Sequence, residues 1–266
     1  MKKDTLLIIA GFDPSQGSGI LLDLRIAKAL QIKSFPLISS LALQNNQSFF
    51  GLQSFSQKDI LIQLDSLDSN QIGAIKMGAA GSIKIWDILI SKIKKLDIPL
   101  VVDPVFKTSS GGKLINEIAD QSIRNFYIEK LAPLSTLFTP NYQEARFLLD
   151  DQLNIFSVEE LAKKLYQKMK CAILITGGHP ILSHSETLTD TLIYMKNGKI
   201  LFKHFSHPKF EKGEIRGTGC ALSTAICTQI LKGIDLENAC RMGIDQVQNW
   251  IEIAQEVEPN LYHLYP

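Results

Sequence analysis

The chain has 266 residues, 45% of them hydrophobic, with 28 basic against 27 acidic side chains and a net charge of +1. That balance, without a long basic run, excludes nucleic acid as the main partner, because binding a phosphate backbone needs clustered Lys and Arg. No apolar stretch approaches membrane-spanning length, and the four cysteines have no CxxC spacing or metal-ligand pattern with the five histidines. Such cysteine usage fits a reducing compartment, and the expectation is a soluble, cytoplasmic protein.

Strand-length apolar runs at 5–10, 35–41, 73–77, 100–103, 136–138 and 172–176 alternate with helical periodicity at about 17–31, 57–69, 83–95, 112–129, 141–149 and 157–169. The first run breaks at Gly11 and reads as a strand rather than a leader. This alternation predicts an α/β fold with a mostly parallel sheet and helices on both faces. Asn197-Gly198 between apolar runs at 190–196 and 199–205 is a hairpin signal and adds an antiparallel edge. Helices at about 219–232 and 235–255 close the chain. With no repeat and no linker, it reads as one domain, 1–266.

Ligands of such sheets bind at the carboxyl ends of the strands. Those ends carry Gly11 and Asp13, Gln44-Asn45, Lys76-Met77-Gly78, Asp103-Pro104, Thr139-Pro140-Asn141 and Thr176-Gly177-Gly178-His179. Any one is an ordinary turn, since Gly, Pro, Asn and Asp dominate turns. Six along one rim exceed what turn chemistry explains. Gly217-Thr218-Gly219-Cys220 then opens an apolar helix. Free backbone N–H groups at that end attract phosphate, and the helix field favours a thiolate at Cys220. A cysteine at a helix start equally serves as a small buried apolar residue.

In order along nearly the whole chain, these segments resemble the hydroxymethylpyrimidine/phosphomethylpyrimidine kinase branch of the ribokinase superfamily. Residues 10–20, with Asp23-Leu24, are similar to its opening AGSDPSGGAGIQADL. Leu41 with Gln44-Asn45 resembles its L-x-x-QN, 102–105 with Ser110-Gly111 its VDPV…SG, and Thr139-Pro140-Asn141 with Glu144-Ala145 its TPNxxEA. Gly177-Gly178-His179 and the final Gly-Thr-Gly-Cys complete the series, and Cys220 stands where most of the superfamily has aspartate.

The resemblance implies a ribokinase-like fold and ATP-dependent phosphorylation of a hydroxymethyl aminopyrimidine and then of its monophosphate, in thiamine biosynthesis. It implies Cys220 as the base, with Gly217, Thr218 and Gly219 supplying backbone donors to the transferred group. Gln44, Asp23 and Gly11 would hold the substrate; Asp103, Asn141, Thr176 and Gly178 would bind ATP; Asn141 and Glu144 would order Mg2+. The partners implied are the small-molecule pyrimidine and a second copy of the chain, as a homodimer.

Some positions depart from the pattern. Thr176 replaces a lysine, Arg216 a histidine, Ala79 a methionine of the substrate wall, Gln16 a glycine and Phe12 a serine. Arg216 is expected to return positive charge near the phosphates, and Phe49-Phe50 with 106–112 read equally as flaps over the site or as plain loop packing. A pyridoxine or pyridoxal kinase of the same architecture, and a non-catalytic heterocycle-binding protein, are the competing readings.

Overall fold

Alternate residues of the first strand face two different apolar layers, and this period-two split sets the architecture. The structure is a computed structural model describing residues 3–79, 81–106, 120–150, 157–177 and 187–266. The first half runs β1 (Thr5–Phe12), α1 (Gly19–Ala29), β2 (Lys33–Gln44), β3 (Phe49–Ser54), α2 (Gln57–Asp65), β4 (Ile72–Met77), α3 (Ile83–Leu96) and β5 (Leu100–Val102). Then come α4 (Asp120–Asn125), which passes into a π-helical segment at Phe126–Leu131, β6 (Leu137–Phe138), α5 (Tyr142–Leu149), α6 (Val158–Met169) and β7 (Ala172–Ile175). The hairpin β8 (Thr187–Lys196) and β9 (Lys199–Pro208) leads to β10 (Glu214–Arg216), α7 (Thr218–Leu231), α8 (Leu236–Glu252), β11 (Gln255–Glu258) and β12 (Leu261–His263).

Nine strands form one sheet in the order β3-β2-β1-β4-β5-β6-β7-β8-β9. The six from β2 to β7 are parallel, and both edges are antiparallel. The expected hairpin edge is present. The opposite edge differs from the sequence reading: Phe49 and Phe50 belong to strand β3, which pairs with β2, rather than to a free flap. The turn between them closes because Asn45 Oδ1 accepts from the backbone N–H groups of Gln47 and Ser48 at 2.9 and 2.7 Å. Residues 107–112 of the other expected flap lie outside the described residues. A second small sheet has the order β10-β12-β11.

Leu7 and Ile9 join one core with α2, α3, α5 and α6, while Leu6, Ile8 and Ala10 join the other with α1, α7 and α8. Each fully buried side chain of this kind contributes about 1.5–3 kcal/mol. Helix α7 is buried along nine consecutive residues from Ala221 to Gln229, so packing holds it from every side. Gly243 of α8 makes that possible: a Cβ there would stand 2.5 Å from Ile226 Cγ1 of α7. Gly243→Val should therefore lower unfolding free energy by about 1–3 kcal/mol, read as a fall in the urea midpoint. An unchanged midpoint would mean that the two helices are not in contact at this point.

Candidate active site

A cavity of about 750 Å³ opens beyond the carboxyl ends of β1, β2, β4, β5, β6 and β7, against the first turn of α7. Two glycines let its walls meet. Gly217, the N-cap of α7, has φ 81°, and a Cβ there would collide with the Gly17 carbonyl and with Leu22. Gly19 has φ 65°, and a Cβ there would strike the Gly11 carbonyl. Both positions need a residue without a side chain and tolerant of positive φ. Asp13 folds the first loop onto itself: Oδ1 accepts from Ser15 N and Oγ at 2.9 and 2.8 Å, and Oδ2 accepts from Ser18 Oγ at 2.7 Å.

Gly217, Thr218, Gly219 and Cys220 all line the cavity, so the unpaired first-turn N–H groups of α7 border it. Asp103 sits opposite, its oxygens 3.8 Å from where a Gly219 Cβ would be, and its Oδ2 lies 3.4 Å from the Ser223 hydroxyl. The Cys220 thiol and the Asp103 carboxylate share this part of the wall and act on each other electrostatically. Burial pushes this thiol far up, and the charges of Asp103 and Asp23 add to that, against the pull of Lys76. The expected pull of the helix end toward thiolate is thus opposed by burial and by the two carboxylates. A helix end is worth about 0.3–1 kcal/mol at an exposed position, too little against desolvation beside carboxylates.

Asp23 is also corrected. It is absent from the cavity wall and fully buried. Its Oδ2 accepts from Lys76 Nζ at 2.7 Å and its Oδ1 from Thr224 Oγ1 at 2.8 Å, so both oxygens are committed. Lys76 itself, 0% exposed, does reach the wall. Burial would lower its ammonium, but Asp23, Cys220 and Asp103 outweigh burial and hold it above the usual lysine value. Sequence reasoning named this residue at a strand end but gave it no role, although a lysine inside the apolar strand Ile72–Met77 was a visible signal.

Asn141 and Glu144 form a reciprocal cap at the start of α5: Asn141 Oδ1 accepts from Glu144 N at 2.9 Å, and Glu144 Oε2 accepts from Asn141 N at 2.8 Å. Both line the cavity, as do Thr176, Gly11 and Gln44. Thr176 is bridged to Asn141. Gln44 Oε1 is buried without a partner. Gly178 lies outside the described residues. Arg216 is placed elsewhere than expected: its Nη2 donates to the Asn46 carbonyl at 2.5 Å, and it does not reach the cavity.

The charged side chains on the described wall are four carboxylates, Asp13, Asp103, Asp120 and Glu144, and one lysine, Lys76. Burial and the neighbouring Asp103 push the Glu144 carboxyl well up. A polyphosphate entering here meets an excess of negative charge, which a divalent cation relieves. Among the described residues no group of three or more His, Cys, Asp or Glu converges. Two carboxylates and substrate phosphates, with the remaining positions left to water, are nevertheless the usual setting for magnesium. The donor set fits that ion.

The fold is ribokinase-like. Solved structures that resemble it include a pyridoxal kinase from Staphylococcus aureus in complex with AMP-PCP and pyridoxal, with TM-score 0.83, 21% identity, and coverage of 98% of this chain and 92% of that one. A phosphomethylpyrimidine kinase from Clostridium difficile matches with TM-score 0.75 and 26% identity over 93% of this chain and 99% of that one. The family model described as phosphomethylpyrimidine kinase matches residues 13–264. The chain belongs to that family, and is therefore a phosphotransferase. It is 28% identical to a hydroxymethylpyrimidine/phosphomethylpyrimidine kinase from Aquifex aeolicus, across 94% of this chain and 95% of the relative. A relative from Saccharomyces cerevisiae with the same activity in its name is 30% identical, and there this chain, matched over 96% of its length, spans 47% of the longer protein.

Two outcomes follow from the charges. Lys76→Met strands a buried carboxylate and should cost about 3–5 kcal/mol. The double variant Lys76→Met/Asp23→Leu should recover much of that loss in chemical denaturation. A double variant no better than the single one would show that the pair is not the source of the cost. Because Cys220 is held as a thiol, its alkylation by iodoacetamide, followed by mass spectrometry without nucleotide, should be slow at pH 7 and still rising at pH 9.5. A plateau below pH 8 would mean a standing thiolate.

Proposed function

We propose that this protein uses ATP to phosphorylate the hydroxymethyl group of 4-amino-5-hydroxymethyl-2-methylpyrimidine, and then the resulting monophosphate, in thiamine biosynthesis. The observation that carries this reading is one cavity bordered by an unpartnered amide oxygen, Gln44 Oε1, and by the thiol-bearing first turn of α7. Gln44 would accept from the ring's amino group. Gly217, Thr218 and Gly219 would stabilise the transferred phosphoryl group through their backbone N–H groups. Gly11 leaves the ring room.

The proton step follows from the thiol's state. As the substrate oxygen bonds to phosphorus and the bond from phosphorus to the ADP oxygen breaks, the hydroxyl proton passes to Cys220 Sγ while the thiol proton passes to Asp103. A weak relay suffices, because the transition state is loose and charge neutralisation dominates. Lys76 keeps its proton throughout, and the pair goes from one negative charge to none as it takes up the substrate proton. Glu144 and Asn141 would hold magnesium, whose chemistry there is to neutralise phosphate charge. Asn141 and Thr176 would border the nucleotide phosphates. One catalytic domain is supported by the family match over residues 13–264. The homodimer and the cytoplasmic setting rest on the sequence alone.

A B6 vitamer is the second reading, favoured by Ala79, a small side chain in the cavity wall. Released ADP, measured with the aminopyrimidine and with pyridoxal, separates the two. Turnover of pyridoxal alone would replace the pyrimidine, and binding without ADP release would leave a non-catalytic protein. With the preferred substrate, Cys220→Ala should lose ~10²–10⁴ in kcat at an unchanged melting temperature. Full activity of that variant would remove Cys220 from the proton path.

A further inference from the structure

Strand β2 presents Ser40, Ala42 and Gln44 to the cavity, the period-two set of one strand face. Ser40 is 1% exposed, yet its hydroxyl has no hydrogen-bond partner. Buried hydroxyls are ordinarily paired, and one left alone costs stability. Its neighbour Ser39, equally buried, donates to the Ala79 carbonyl at 2.6 Å. Of these two adjacent serines, the one on the cavity face is the one without a partner.

The space before Ser40 is kept open by another residue. A Cβ on Gly11 would stand 3.1 Å from Ser40 Oγ and 3.8 Å from the Ala79 Cβ. Any larger side chain at Gly11 would fill this corner, and glycine leaves it to a ligand. At the outer end of the same strand face, Gln44 Oε1 is likewise buried and unpartnered. Four residues of strand separate the two Cα positions by about 13 Å. A six-membered ring over the small Ala42, met by the long Gln44 side chain, spans that interval.

We propose that Ser40 is a second substrate-reading residue, its hydroxyl donating to a ring nitrogen at the inner end of the pocket while Gln44 accepts from an amino group at the outer end. The preferred ligand is then a heteroaromatic ring with a nitrogen acceptor opposite its amino-bearing carbon. This rests on the aminopyrimidine reading for the nature of the ring, but its test needs no phosphoryl transfer.

The test is calorimetric binding, without ATP, of two compounds to the wild type and to Ser40→Ala. One is 4-amino-5-hydroxymethyl-2-methylpyrimidine. The other is its analogue with CH in place of the ring nitrogen opposite the amino-bearing carbon. The wild type should prefer the first by about tenfold, the scale of one neutral hydrogen bond, and Ser40→Ala should lose that preference. The ligand-free melting temperature of the variant should hold or rise, since an unpaired hydroxyl has been removed. Ser40→Cys, close in size but a weak donor, should keep the fold and lose most of the preference. Retained preference in Ser40→Ala, or a fall in the ligand-free melting temperature of both variants, would overturn the assignment. Failure of the wild type to bind the diazine would overturn it too. Binding with the expected preference but no ADP release would overturn the kinase reading alone.

Discussion

The ion pair between Lys76 and Asp23 fixes the geometry on which the site depends. It joins the end of β4 to α1, and the Thr224 hydroxyl on Asp23 ties in α7. Withdrawing two charges from water costs several kcal/mol per ion, and the mutual attraction offsets this only with close geometry and full hydrogen bonding. Asp23 has both oxygens occupied, at 2.7 and 2.8 Å. The three elements therefore hold one mutual arrangement, since sliding α7 along the sheet would leave a buried carboxylate short of a donor. Because α7 carries Gly219 and Cys220, the pair also sets where this wall of the cavity stands.

The same pair decides how charge is distributed in the cavity. Lys76 is shared between Asp23 and Asp103, so its single positive charge is largely spent on the protein's own carboxylates. Thr176 contributes none. Among the described residues the wall carries four carboxylates, a setting that suits a divalent ion.

Much of this was legible in the sequence, and the failures have physical reasons. The six parallel strands and the hairpin at Asn197-Gly198 follow from apolar runs and one turn signal, because parallel strands are buried on both faces. The rim residues Gln44, Asp103, Asn141, Thr176 and 217–220 converge as their positions at strand ends require. Asp23 was misplaced because sequence spacing does not tell whether a carboxylate on α1 faces the cavity or a lysine on β4. The pull of the helix end on Cys220 is opposed for a related reason: a helix end is a local feature, while the desolvation and carboxylates come from distant segments. Strand β3 was hidden by its mixed composition, Phe-Phe-Gly-Leu-Gln-Ser, which has no clean alternation.

The contact from Arg216 to the Asn46 carbonyl spans 170 residues of sequence. Asn46 lies two positions past Gln44, and Arg216 immediately precedes Gly217, so this one bond pins the two ends of the pocket together. Contacts of such wide sequence separation form only after a large loss of chain entropy. During synthesis, the amino-terminal half can complete β1 and β2, but it cannot hold a working pocket, because the opposing wall has not yet been made. The pocket is therefore a late product of folding, closed only when the last third of the polypeptide has docked.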